Sequence, residues 1–297
     1  MEIPAYPSSR QIELSDKARL DSIFQQMQPR VSEFTFANLY LFRTAHHYRL
    51  TLVGDSLVVL GTGYSGDYYF LQPLDGDIEN ALNFLVSEGH VLYGVDGEFV
   101  ATFLGGLEGV DFSEDRDSFD YVYNRNDLAT LSGNRYHKKK NRVHYFKKRH
   151  SFTVDTYSHR YYDESLALLA EWRRIRTSDE SQSLESEADA AAEGLEKAAI
   201  LGLEGVVILV DGLVRAYALG EKLNSNTSVC HFEKADPFLD GIYQVVDQEF
   251  NRRCFVECEF VNKEQDLGSP ALRKSKLSYH PVELVKKHRF WKTKRRD

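Results

Sequence analysis

A chain of 297 residues is too long for one small core and comfortable for two domains of ordinary size. With 42% hydrophobic and 28% charged residues it reads as globular, and its longest apolar run, residues 206–210, falls far short of the roughly 18–20 residues of a membrane span. The net charge is −8, yet residues 135–149 hold eight Lys or Arg and residues 286–296 hold seven, which points to a local polyanion partner rather than general adhesion to nucleic acid.

The first sixteen residues lack the basic and apolar blocks of a signal peptide, and three cysteines, few and odd in number, make a reducing cytoplasm the expected home. Residues 13–28 carry a helical stripe of Leu14, Ala18, Leu20, Ile23, Phe24 and Met27, and residues 34–43 read as a short aromatic helix. Strands are expected at 48–53, 57–61 and 68–71, with glycine turns between them. A helix at 78–87, a strand at 91–95, a helix at 98–107 and a strand at 118–123 complete the first half. Residues 127–150 form a basic connecting segment.

The second half begins with a strand at 152–157 and a helix at 163–176. A Ser- and acid-rich stretch at 177–187 reads as a mobile loop, and an alanine-rich helix follows at 188–201. Strands at 206–210 and 213–220 turn at Asp211-Gly212, a third lies at 229–232, and a helix covers 242–251. A strand is expected at 254–260, then a polar loop at 262–268. Ser269-Pro270 is a helix-start signal for residues 270–277, and Ser278-Tyr279 is expected to open a last strand. Cys230, Cys254 and Cys258, few and odd in number, suit a reducing compartment and read as small buried hydrophobes. No metal site is expected.

Both halves repeat one order of elements: an antiparallel meander, then helix, strand, helix, strand. That succession is found in the GNAT (N-acetyltransferase) fold. The expected fold class is α+β (α/β), two tandem GNAT-like domains, each with a mixed, mostly antiparallel sheet flanked by helices. Residues 1–126 form the N-terminal domain, mainly structural, 127–150 the basic connection, and 151–297 the C-terminal domain with the active cleft.

In this fold the strands around 229–232 and 254–260 part in mid-sheet, so two polar clusters should face one cleft. One is His231, Glu233, Lys234 and Asp236; the other is Asn262, Glu264, Gln265 and Asp266. Glu233 and Asp266 are candidate general bases for an attacking amine. Lys234 or Arg273 is placed to stabilise negative charge on an acyl oxygen, with Tyr279 as proton donor to a leaving group. Lys276 joins the substrate-binding set. An acetyl-CoA enzyme needs free backbone N–H groups at the helix start after the meander, which glycines usually permit. Residues 231–243 offer the single Gly241, so acetyl-CoA is disfavoured. The basic segment interleaves its cations with Tyr136, Tyr145 and Phe146. Lys138, Lys139, Lys140, Arg142 and Lys147 are therefore candidate phosphate contacts beside rings able to stack on bases.

Several segments taken together resemble a known family. They are Phe34-Thr-Phe-Ala-Asn-Leu-Tyr40, the stretch from Leu131-Ser-Gly to Lys138-Lys-Lys-Asn141, His231-Phe-Glu-Lys-Ala-Asp236, and Asn262-Lys-Glu-Gln-Asp-Leu-Gly268 with Leu272-Arg-Lys-Ser-Lys276 and Ser278-Tyr-His-Pro281. Nearly the whole chain is similar to a bacterial family related to the C-terminal domain of phosphatidylglycerol lysyltransferase. The resemblance implies tandem GNAT-like domains and transfer of an amino acid from aminoacyl-tRNA to an amine or a lipid hydroxyl. The lysyltransferases carry a long membrane-embedded portion with no counterpart in this chain, which argues against a lipid acceptor. The expected function is transfer of an aminoacyl group from aminoacyl-tRNA to an amine or hydroxyl of a small-molecule or peptide acceptor. The alternatives are an acyl-CoA-dependent N-acetyltransferase and a non-enzymatic module that binds nucleic acid or another anion.

Overall fold

The computed structural model describes residues 2–105, 109–176 and 182–293. It divides into two compact units built from discontinuous stretches. The first comprises Met1–Asp120, Gln265–Pro270 and Leu284–Asp297; the second comprises Tyr121–Glu264 and Ala271–Glu283. The expected linear boundaries at 126 and 150 thus give way to units that share the chain after residue 264.

The first unit opens with β1 (Arg10–Gln11), α1 (Lys17–Met27) and α2 (Phe36–Leu41). The meander β2 (Arg49–Val53), β3 (Ser56–Thr62) and β4 (Tyr68–Phe70) follows, then α3 (Ile78–Ser87) and β5 (Val91–Val95). The expected helix at 98–107 is a short α4 (Gly97–Phe99) continued by a wider helical turn, Val100–Leu104. Residues 106 and 107 of that expectation lie outside the described residues. Next come β6 (Val110–Glu114) and β7 (Asp120–Asn124).

The second unit takes over with α5 (Arg125–Thr130), α6 (His137–Arg149), β8 (Phe152–Thr156), α7 (Tyr162–Arg176) and α8 (Gln182–Leu201). Residues 182–187, expected in a loop, are helical; 177–181 lie outside the described residues. The second meander is β9 (Glu204–Val210), β10 (Leu213–Lys222) and β11 (Thr227–Ala235). After it come α9 (Ile242–Arg253), β12 (Phe260–Asn262), α10 (Pro270–Leu277), β13 (Glu283–Val285) and β14 (His288–Lys292).

Among the described residues the first sheet runs β1-β2-β3-β4-β5-β14-β6 and the second β13-β7-β12-β11-β10-β9-β8. Each sheet therefore takes a strand from the far half of the sequence. β14, from the C-terminal end, sits between β5 and β6, while β7 pairs antiparallel with β12. Element order alone hides this exchange, because each half still shows a strand in the expected place.

Two expected strands are corrected. Residues 254–259 form no strand. Phe255 has φ 50°, and Cys258 N–H closes a turn on the Phe255 carbonyl. The Arg125 guanidinium holds that turn by donating to the carbonyls of Asn251, Val256 and Cys258. Ser278-Tyr279 is also a turn, ended by His280 at φ 56°, and the chain resumes as strand only at Glu283.

The core of the first unit contains a buried ion network. The Lys287 ammonium, fully buried, donates to Glu33 at 2.5 Å and Asp120 at 2.8 Å. Gln265 donates to the other Glu33 oxygen, and Ser32 donates from its N–H and hydroxyl to Asp120. Burial raises the Glu33 carboxyl despite the lysine. Burial would also depress Lys287, but Asp120 and Glu33 together lift it above the ordinary lysine range. Each charge has a counterpart, which is what makes charge tolerable in an apolar interior.

Candidate active site in the second unit

β11 and β12 run parallel only from Thr227 opposite Phe260 to Val229 opposite Asn262. Beyond Asn262 the chain leaves β11, so the sheet splits at the point the sequence indicated. On its other side, β11 carries a bulge against β10. Leu219 faces Phe232 but Gly220 faces Cys230, leaving His231 as the extra residue of β11.

Within the split lies a cluster of charges. Lys263, the first residue past β12, places its ammonium 2.8 Å from Glu233 Oε2 and 2.8 Å from Asp247 Oδ1. Asp247 comes from α9, is only 1% exposed, and also accepts from Asn251 Nδ2. The Tyr279 ring stands nearby, with the Lys263 ammonium 5.7 Å and the Lys139 ammonium 3.8 Å from its centre. Two lysines, two carboxylates and a phenol thus share one partly dry space.

That space sets the proton affinities. Burial, strengthened by Asp247, raises the Glu233 carboxyl, with Lys263 pulling the other way. Lys263 is depressed by burial, but Asp247 and Glu233 more than offset this and keep it charged. Burial lifts the Tyr279 phenol well above its usual value, with Asp247 adding to the effect and a hydrogen bond to Gln244 opposing it. Lys139 is lowered by burial, and Lys263 lowers it further.

His231 forms a second group beside the first. Its Nδ1 is 2.8 Å from Glu264 and its Nε2 2.9 Å from Glu221. Burial would lower it, but these two carboxylates raise it to about 10, so the ring is an imidazolium at neutral pH. With both nitrogens engaged, His231 ties β10 and β11 to the Glu264 side chain beyond β12. Lys276 reinforces that tie by donating to the carbonyls of Lys263 and Glu264, and Asn262 accepts the Glu264 N–H at 2.7 Å.

The structure thus brings together Glu233, Tyr279, His231, Asn262, Glu264 and Lys276 in one unit. Other candidates are placed elsewhere. Lys234 follows Glu233 in a strand, so it points to the opposite face of the sheet. There its ammonium meets Glu187 at 2.5 Å and lies 3.8 Å over the Trp172 ring. Asp266 is fully buried in the first unit, with Oδ2 on Arg116 and Oδ1 accepting the Gly268 N–H, so both oxygens clamp a loop. Gln265 belongs to the Glu33 network. Asp236 accepts from the Phe238 N–H and pairs with Arg215, closing the turn after β11. Arg273 lies on α10, partly buried.

On α6, Lys138 and Arg142 are exposed, and Arg142 and Lys147 pair with Asp240 and Glu249. Lys139 turns inward onto Tyr279. α6 also presses on the start of α9. Gly241 adopts φ 96°, and a Cβ there would lie 2.4 Å from the Arg142 carbonyl oxygen. Asp236 and Asp240 flank this helix start.

A family model described as phosphatidylglycerol lysyltransferase, C-terminal, matches residues 24–290. The chain belongs to that family. Among solved structures, a conserved protein of unknown function from Bacteroides thetaiotaomicron aligns at 29% identity with a TM-score of 0.88, covering 95% of this chain and 98% of that one. L-PGS from Bacillus licheniformis aligns at 12% identity, TM-score 0.62, over 99% of this chain and 95% of that one. FemX aligns at 10% identity, TM-score 0.51, over 96% and 97%. Comparison with curated proteins gave no match. The family membership and these likenesses establish a tandem GNAT-like, acyltransferase-type fold. Among the described residues no helix is long and apolar enough to cross a membrane.

Two residues of the family member's cluster escaped the sequence reading. Lys263 was visible in the polar loop but had no assigned partner. Asp247 sits among Val245, Val246 and Phe250, buried like them. An acid on the apolar stripe of a helix was the signal available for it.

Proposed function

We propose that the protein is an acyltransferase that moves an aminoacyl group from aminoacyl-tRNA to an amine or hydroxyl acceptor, with the chemistry in the second unit. The observation that carries this reading is the Glu233–Lys263–Asp247–Tyr279 cluster in the split between β11 and β12. Glu233, whose carboxyl burial raises above its ordinary value, takes the proton from the attacking amine or hydroxyl. Lys263, held charged between two carboxylates, replaces Lys234 as the cation facing the developing oxyanion. Tyr279 keeps its proton at working pH and gives it to the leaving ribose oxygen. Family membership supports a transferase of this kind.

The start of α9 favours this donor over acetyl-CoA. A pyrophosphate would need room and positive potential there. Gly241 instead abuts the Arg142 carbonyl, and the nearby Arg142 and Arg215 are already paired with Asp240 and Asp236. The exposed cations of α6, Lys138 foremost, are suited to tRNA phosphates.

The test is incubation of the protein with labelled aminoacyl-tRNA and a cell extract. Transfer of label to a non-tRNA acceptor, reduced at least 100-fold by Glu233→Gln, is expected. Label transfer indifferent to Glu233→Gln, or none with tRNA but transfer from acetyl-CoA, overturns the proposal.

A further inference from the structure

Asp247 offers more than an ion pair to Lys263. Its Oδ1 is engaged twice, by Lys263 and by Asn251 Nδ2, but its Oδ2 is buried and meets no donor among the described residues. Asn251 Oδ1 and Gln248 Oε1 are buried without a donor in the same way. All three lie within one turn of α9, where spacings of three and four residues put Asn251 beside both others. The orientation of Asn251 is fixed by its amide nitrogen, which donates to the Asp247 carbonyl and carboxylate.

Buried acceptors without donors are costly, so three of them so close on one helix call for a donor-rich guest. Asp247 and Glu233 already have the ammonium groups of Lys263 and Lys139 beside them, so the match is one of donors rather than of net charge. A primary ammonium brings three N–H donors to the three acceptors.

We infer that Asp247, Asn251 and Gln248 form a binding subsite for the primary ammonium of a reactant. The inference rests on the proposed site and names a group that this site recognises. Two reactants carry such a group: the aminoacyl donor, through its α-ammonium, and an amine acceptor.

Titration of the full chain, labelled with nitrogen-15, with L-alaninamide and separately with n-butylamine tests the inference. N-acetyl-L-alaninamide and n-butanol serve as uncharged counterparts. The expected result is that at least one amine shifts the resonances of residues 247–251, with an affinity at least tenfold above that of its counterpart. Alaninamide alone identifies the donor's α-ammonium, and butylamine alone identifies the acceptor. Asp247→Asn is expected to weaken the amine at least tenfold, while the exposed charge change Glu171→Gln leaves its affinity unchanged. If Asp247→Asn fails to fold, the wild-type comparison of charged and uncharged probes decides alone. Equal binding of charged and uncharged probes, no amine binding, or full binding by folded Asp247→Asn overturns the inference. Aminoacyl transfer without amine binding removes this subsite only; amine binding without any transfer removes the proposed function and leaves the subsite.

Discussion

Replacing His231 with leucine removes the cation that two carboxylates share. His231 is raised from 6.5 to about 10 by Glu221 and Glu264, and each tenfold change in proton affinity is worth about 1.36 kcal/mol. The upper bound on its contribution is therefore on the order of 5 kcal/mol, in line with the roughly 3–5 kcal/mol for breaking a buried pair. Because the folded value is raised, this stability is fully present below about pH 6.5 and is lost as pH climbs to about 10. In the leucine variant, Glu221 and Glu264 are left without the cation they share. The protein has two units, so a local probe is required. Trp172 is buried in the second unit, and a Trp291→Phe background isolates its fluorescence. Urea unfolding should show a loss of about 3–5 kcal/mol at pH 6.5 that shrinks steadily toward pH 10. A difference below about 1 kcal/mol, or one constant across that range, would refute the imidazolium assignment.

Three further outcomes are expected. Gly241→Ala forces φ 96° on an L-residue and drives a Cβ to 2.4 Å from the Arg142 carbonyl; it should cost about 1–3 kcal/mol in thermal unfolding, and an unchanged Tm would contradict the close approach. Lys287→Met strands Glu33 and Asp120 in the first unit and should cost about 3–5 kcal/mol at neutral pH by Trp291 fluorescence, less at acidic pH as Glu33 takes a proton; equal loss at both would count against it. Lys138→Glu with Lys140→Glu should weaken tRNA binding and flatten its dependence on salt, measured by filter binding across salt concentrations; an unaltered slope would place the tRNA elsewhere.

How much of this was legible in the sequence follows from what each signal reports. Helix α3 and strand β5 stand where periodicity put them, because their apolar faces pack locally. Parts of the two polar clusters meet, through His231–Glu264 and Glu233–Lys263, while Lys234, Asp236, Gln265 and Asp266 lie elsewhere. Illegible features depended on distant partners. Phe255 and its neighbours have strand-like composition, yet Arg125 fastens their carbonyls into a turn. Nothing near Lys287 announces that Glu33 and Asp120 await it across the sequence. Lys234 was misplaced for a simpler reason: adjacent strand residues cannot share a face, so only one of Glu233 and Lys234 enters the split.

The central claim is that the Glu233–Lys263–Asp247–Tyr279 cluster transfers an aminoacyl group from tRNA. Its most direct test is single-turnover release of a labelled amino acid from aminoacyl-tRNA to acceptor, comparing wild type with Lys263→Met and Glu233→Gln. The account predicts transfer by the wild type and at least a 100-fold slower step in each variant, with tRNA affinity retained. Transfer at the wild-type rate by both variants would contradict it.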